Sequence, residues 1–213
     1  MIQINVNQAA STKIENDFAN PLGLLSDCHR RIEKFSEQII RVCETARGGA
    51  LNANQREALE TALRYFRQAA PLHTADEEDS LFPRLRASAQ KGDTTAQSAI
   101  TVIECLEADH DAADERHAVI DASGVRWLEN NTLNEYDAAQ LQDEARNLRA
   151  FYAAHIAVED KQLFPLAEQV LAAKTTETIG REMASRRGLD FDNLPAISRC
   201  ATRKAACTAD NGR

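Results

Sequence analysis

Aromatic residues make up only 5% of this 213-residue chain, and it holds just 8 glycines and 5 prolines. Their scarcity, beside abundant Ala, Leu, Glu, Gln and Arg, favours helix over sheet. No window approaches the ~20 apolar residues that a membrane span requires. The opening MIQINVNQAASTK has no apolar signal core, so the expected location is the cytoplasm, with no membrane partner. A formal net charge of −8 argues against a dedicated nucleic-acid binder. Basic residues outnumber acidic ones only from Arg181 onward, and that small excess reads as a solvated end. The five cysteines (Cys28, Cys43, Cys105, Cys200 and Cys207) are odd in number and unpatterned in spacing, which argues for reduced thiols and against a disulfide framework.

What is present is helical periodicity. Residues 1–19 carry no sustained pattern and read as a leader arm. Asn20-Pro21 then supplies a cap and a proline at the first helical position. Leu22, Leu25, His29, Ile32, Ile39 and Cys43 follow on one face, up to Gly48-Gly49. A second helix from about Asn54 turns Leu59, Leu63, Phe66, Ala70, His73 and Glu77 inward, with a kink expected at Pro71 and its far end marked by Pro83 and then Gly92-Asp93. A third, from about Thr94 to Ile120, aligns Ala99, Ile103, Leu106, His110, Asp114, His117 and Ile120, and Gly124 is expected to break it. A fourth, from about Asn134, buries Leu141, Ala145, Leu148, His155, Glu159 and Leu166. The expected fold is all-α: an up-down antiparallel four-helix bundle over residues 20–172, a short extra C-terminal helix over 173–188, and a flexible tail over 189–213.

Two segments repeat. Residues 73–83 read HTADEEDSLFP, residues 155–165 read HIAVEDKQLFP, and the shared positions are offset by 82. This is an internal duplication of a helical hairpin. His29 and His110 precede the two copies by 44 and 45 residues. Residues at i and i+4 share a helix face, so His73 with Glu77 and His155 with Glu159 reach one point from opposite sides of a bundle. Each HxxxE alone is a common surface pattern; four inward histidines with two repeated glutamates are not. Buried carboxylates need a compensating charge, which a metal supplies. Imidazole and carboxylate without thiolate suit iron, manganese or zinc. Six ligands exceed the four of a structural zinc site and fit two ions sharing carboxylates better.

With His29, His73-x-x-x-Glu77, Leu81-Phe82-Pro83, His110, His155-x-x-x-Glu159 and Leu163-Phe164-Pro165 in hand, the chain resembles the hemerythrin-like, or HHE cation-binding, family. The resemblance covers about residues 20–172. It implies two iron ions with an oxo or hydroxo bridge, His29, His73, His110 and His155 as ligands, and Glu77 and Glu159 as bridging carboxylates. It is closer to the bacterial branch than to the oxygen carriers, in which the third helix brings HxxxH. Here Asp114 stands four residues after His110, and its side chain is expected to face the cluster. Without a fifth histidine the centre has one more open position, which favours reaction with oxygen, peroxide or nitric oxide. Oxidative or nitrosative stress defence and iron–sulfur repair are the implied roles. Non-enzymatic oxygen or iron binding, storage or sensing is the alternative. Glu78 and Asp160 are read equally as acceptors for ligand histidines and as surface charge. His117, about 10.5 Å along the helix from His110, is a core or pocket residue.

Overall fold

The computed structural model describes residues 16–194. Asn20 opens α1 (Pro21–Ala46) by accepting the Gly23 amide on its side chain, and Pro21 sits where the helix needs no N–H. Arg47 and Gly48, both with positive φ, end it. Asn52 and Gln55 form a reciprocal capping box for α2 (Ala53–Gln68). The chain breaks at Ala69, just before Pro71, and resumes as α3 (Ala70–Asp76). A π-helical turn, Glu77–Leu81, joins α3 to α4 (Phe82–Gln90). Asp93 caps α5 (Thr94–Asn130) and Asn134 caps α6 (Glu135–Val158). A second π-helical turn, Glu159–Leu163, leads into α7 (Phe164–Val170), and α8 (Ala173–Arg186) comes after it.

α1 packs against α2 and α6, and α5 packs against α4 and α6. The result is an up-down antiparallel four-helix bundle of α1, α2–α4, α5 and α6–α7, with α8 laid against α1 and α3. Its core is in two parts. One holds Ile32, Ile39, Leu59, Leu63, Ile120, Trp127 and Leu148. The other holds Leu25, Leu81, Phe82, Leu85, Ile103, Leu163 and Met183. On every rod a histidine or glutamate falls between the two, so a polar layer crosses the middle of the bundle. No helix among the described residues is long and apolar enough to cross a membrane.

Two expectations are corrected. Gly124 does not end the third helix, which runs on to Asn130. Gly124 is buried there, and a Cβ would come within 2.6 Å of Leu63 Cδ1, so the position is glycine for close packing of α5 on α2. Helix propensity alone disfavours glycine by only about 1 kcal/mol, which packing overrides. The stretch beginning at residue 189 is not patternless at its start. Phe191–Asn193 form a 3₁₀ turn; the Arg181 guanidinium sits 4.5 Å from the Phe191 ring centroid and donates to Asp192. The remainder, residues 195–213 with Cys200 and Cys207, and residues 1–15 of the leader arm lie outside the described residues.

Phe18 fixes α8 from the N-terminal side. A Cβ on Gly180 would lie 1.9 Å from the Phe18 carbonyl oxygen. Gly180→Ala should therefore destabilise the protein by about 1–3 kcal/mol through overpacking, although alanine is the better helix former. Urea unfolding of the two proteins checks this, and an increase in stability would contradict the packing.

Candidate metal centre

The repeated LFP explains why both inward glutamates begin a π-helical turn. Proline lacks an N–H, and its ring crowds the carbonyl four residues before it. Widening the turn accommodates Pro83 and Pro165: Phe82 N–H bonds to Glu77 O and Phe164 N–H to Glu159 O, each five residues back. Such π bulges are rare and frequent at functional sites. The extra residue also rotates the helix beyond it. Leu163, Phe164 and Ala167 are buried, while Leu166, expected inside, is only half-buried.

All six expected ligand residues are buried and face the polar layer. His29 and His73 meet edge to face with ring centroids 5.1 Å apart, and His110 and His155 lie 4.9 Å apart. The two carboxylates stand between these pairs. Glu77 Oε1 is 3.6 Å from His73 Nε2, and its Oε2 is 3.3 Å from His110 Nε2. Glu159 Oε2 is 3.1 Å from His29 Nε2 and 3.3 Å from His155 Nε2. Ligand atoms of His29, His73, Glu77 and Glu159 lie within 4.8 Å of one another, as do those of His110, His155 and Glu159. Each glutamate thus reaches from one histidine pair to the other.

Each copy of the motif supports the histidine of the other. Glu78, next to Glu77, lies 2.7 Å from His110 Nδ1, and Asp160, next to Glu159, lies 3.1 Å from His29 Nδ1. Phe82 stacks on His110 and Phe164 on His29, at interplanar angles of 2° and 12°. Asp109 holds His155 Nδ1 at 3.2 Å. A carboxylate on Nδ1 orients the ring and turns Nε2 to the centre, the usual support of a metal-binding imidazole. The sequence expectation missed Asp109, although its place beside His110 at the layer was a usable signal. His73 is the exception, for its buried Nδ1 has no partner.

The polar atoms at the centre are left over by the protein itself. His29 Nε2, His110 Nε2 and all four oxygens of Glu77 and Glu159 are buried without an aligned hydrogen bond, although each glutamate lies within ion-pair distance of two imidazoles. Groups so close yet misaligned converge on common points rather than on each other. Buried orphans of this kind are costly in an apo site and are the donor set that hard or borderline cations take. The electrostatics agree. Burial, followed by the charge of Glu159, pushes the Glu77 carboxyl well above the usual range. Burial also opposes the charge on Glu159, yet the close imidazoles of His155 and His29 hold its carboxyl well below that range. For His29, burial is outweighed by Asp160 and Glu159, which raise its pKa to about 10. Burial holds His73 well below its ordinary value. The six side chains thus bring together buried imidazole and carboxylate donors that could hold metal.

Asp114 departs from expectation. It is an exposed side chain, paired at 3.6 Å with His117 Nδ1, and the inward position one turn past His110 belongs to the buried Ala113. The stripe of α5 steps by three residues there, which keeps a carboxylate out of the core. His117 is a pocket residue, as expected. It lies 3.0 Å from the Tyr152 hydroxyl and borders a cavity of about 180 Å³ with Leu63, Phe66 and Pro71. Cys28 and Cys43 are buried free thiols, and Cys105 is an exposed one.

A family model described as the hemerythrin HHE cation-binding domain matches residues 20–167. An uncharacterized protein of Haemophilus influenzae is similar to this chain, 28% identical over 171 residues, which cover 78% of this chain and 90% of the relative.

Proposed function

The chain belongs to the hemerythrin family of HHE cation-binding domains, and from that premise we propose that it holds a dinuclear non-haem iron centre reacting with oxygen, peroxide or nitric oxide in oxidative or nitrosative stress defence. The observation that carries this reading is the arrangement of two histidine pairs on either side of two shared, buried carboxylates. His29 and His73 would hold one ion, His110 and His155 the other, and Glu77 and Glu159 would bridge them. Iron bound there supplies one-electron redox chemistry and coordination positions that a small molecule can take.

The rest is the work of the chain. Glu78, Asp109 and Asp160 accept from the imidazoles and keep their Nε2 atoms aimed inward. Phe82 and Phe164 cover the rings of His110 and His29 and keep water from that side. Ala113, not a fifth histidine, lies on the inward face one turn beyond His110, so its methyl adds no donor. That leaves more of the coordination sphere exchangeable than a carrier with a fifth imidazole would, and supports reaction over storage.

The test is rapid mixing of the reduced, iron-loaded protein with oxygen, hydrogen peroxide and nitric oxide in turn. Consumption of peroxide over many turnovers, or of nitric oxide up to the electrons held by the reduced centre, with no long-lived oxygen adduct, is the expected result. A stable, reversible oxygen adduct without turnover would establish the alternative, an oxygen binder or sensor.

A further inference from the structure

α8 lies beyond the family-matched residues 20–167, yet it is tied to the turn that carries Glu77. Asp76, the residue before Glu77, is fully buried. It accepts from Arg186 Nη1 at 2.9 Å and from Arg187 Nη1 and Nη2 at 3.2 and 2.7 Å. Ser80, in the same turn and also fully buried, accepts from Arg186 Nη2 at 2.7 Å and donates to Glu182 at 2.6 Å. Arg84 closes the network by donating to Glu182 and to the Ser80 carbonyl. Two carboxylates are thus matched by three guanidinium groups, each donating to a charged or backbone acceptor. A half-buried network of charge-assisted hydrogen bonds, centred on the fully buried Asp76 and Ser80, rigidifies what it holds.

The internal repeat is a control. Eighty-two positions on, Asp76, Ser80 and Arg84 correspond to Val158, Gln162 and Leu166. None of these carries a charge, Gln162 is exposed, and the second turn packs principally against its own helices and α5. The ties that the two turns share are matched, Glu78 to His110 and Asp160 to His29. What the first has in addition is the charged network with α8; the second has in its place one exposed bond, Ser26 donating to Asp160 at 2.7 Å.

We propose that α8 is a clamp that fixes the Glu77 wall of the site through Asp76 and Ser80, leaving the Glu159 wall to move when metal is taken up or released. Arg186 and Arg187 are positioning residues: they touch no ligand atom and act on Glu77 through its neighbour. The role in metal exchange rests on Glu77 and Glu159 being ligands; the difference in stiffness does not.

The full chain without metal is probed by amide hydrogen exchange, comparing residues 77–82 with residues 159–164. The first turn should exchange about tenfold more slowly. Asp76→Val installs the residue of the second copy and leaves no buried carboxylate behind. It should raise exchange in the first turn to the level of the second and leave the second unchanged. Arg186→Gln serves if the valine variant does not fold, with the same effect expected in smaller measure. Equal exchange in the two turns of the wild type, or a variant that speeds both turns alike, overturns the clamp. In the iron-loaded protein, release of ferrous iron to a chelator should be about fivefold faster in Asp76→Val. An unchanged release rate overturns the role in metal exchange. Failure of the wild type to take up iron would instead count against the dinuclear reading, with the exchange comparison still deciding the clamp.

Discussion

Replacing Glu159 by alanine is expected to strip the protein of metal. Its two oxygens are buried, lack aligned hydrogen bonds, and lie between His29 and His155. Glu77→Ala should behave the same way, since Glu77 spans His73 and His110. Loss of a residue that merely orients a ligand costs about 10- to 100-fold in metal affinity, so loss of a bridging ligand should exceed about 100-fold. Glu168→Ala is the control. Glu168 is exposed on α7, outside the polar layer, and its removal should leave metal content unchanged. Metal analysis of the three purified variants decides the matter. Equal content in all three would remove both glutamates from the site.

Chelation should cost the protein much of its thermal stability. Without a cation, two carboxylates and four imidazoles converge in the middle of the bundle, where burial and the charge of Glu159 push the Glu77 carboxyl well above the usual range. A ligand present at a thousand times its Kd stabilises the native state by about 4 kcal/mol, which corresponds to roughly 10 °C in Tm for a domain of this size. The effect should grow with pH. His29 is held up to about 10 without metal and must surrender its proton to bind, so metal affinity rises as protons become scarcer. Calorimetry of loaded and chelated protein at about pH 6 and about pH 8 reads both effects. A chelated protein with unchanged Tm, its metal loss verified, would contradict the coupling.

Much of the architecture is written in spacing. Leu22, Leu25, His29, Ile32 and Ile39 fall on one face at steps of three, four and seven, and all are buried. The repeated HxxxE predicts the approach of His73 to Glu77 and of His155 to Glu159, because one helical turn fixes that distance. What spacing alone does not carry is the π-helical turn. It depends on how a proline ring is relieved, and one inserted residue then moved burial from Leu166 to Ala167. The step from His110 could be three or four on spacing grounds. The cost of burying a carboxylate chose Ala113 over Asp114. Gly124 read as a breaker because local propensity is visible in sequence, whereas the approach of Leu63 is tertiary. The clamp of Arg186 and Arg187 on Asp76 joins residues 110 and 111 positions apart, and no local pattern announces it.

The proposed dinuclear centre requires two iron ions in one bundle. Anaerobic reconstitution of the full chain with ferrous iron, then removal of excess metal and elemental analysis, measures it most directly. The expected result is about two irons per chain, with near-ultraviolet absorption from a bridged ferric pair appearing on oxidation. A single zinc per chain, with no spectral change on oxidation or reduction, would rule out the dinuclear iron centre.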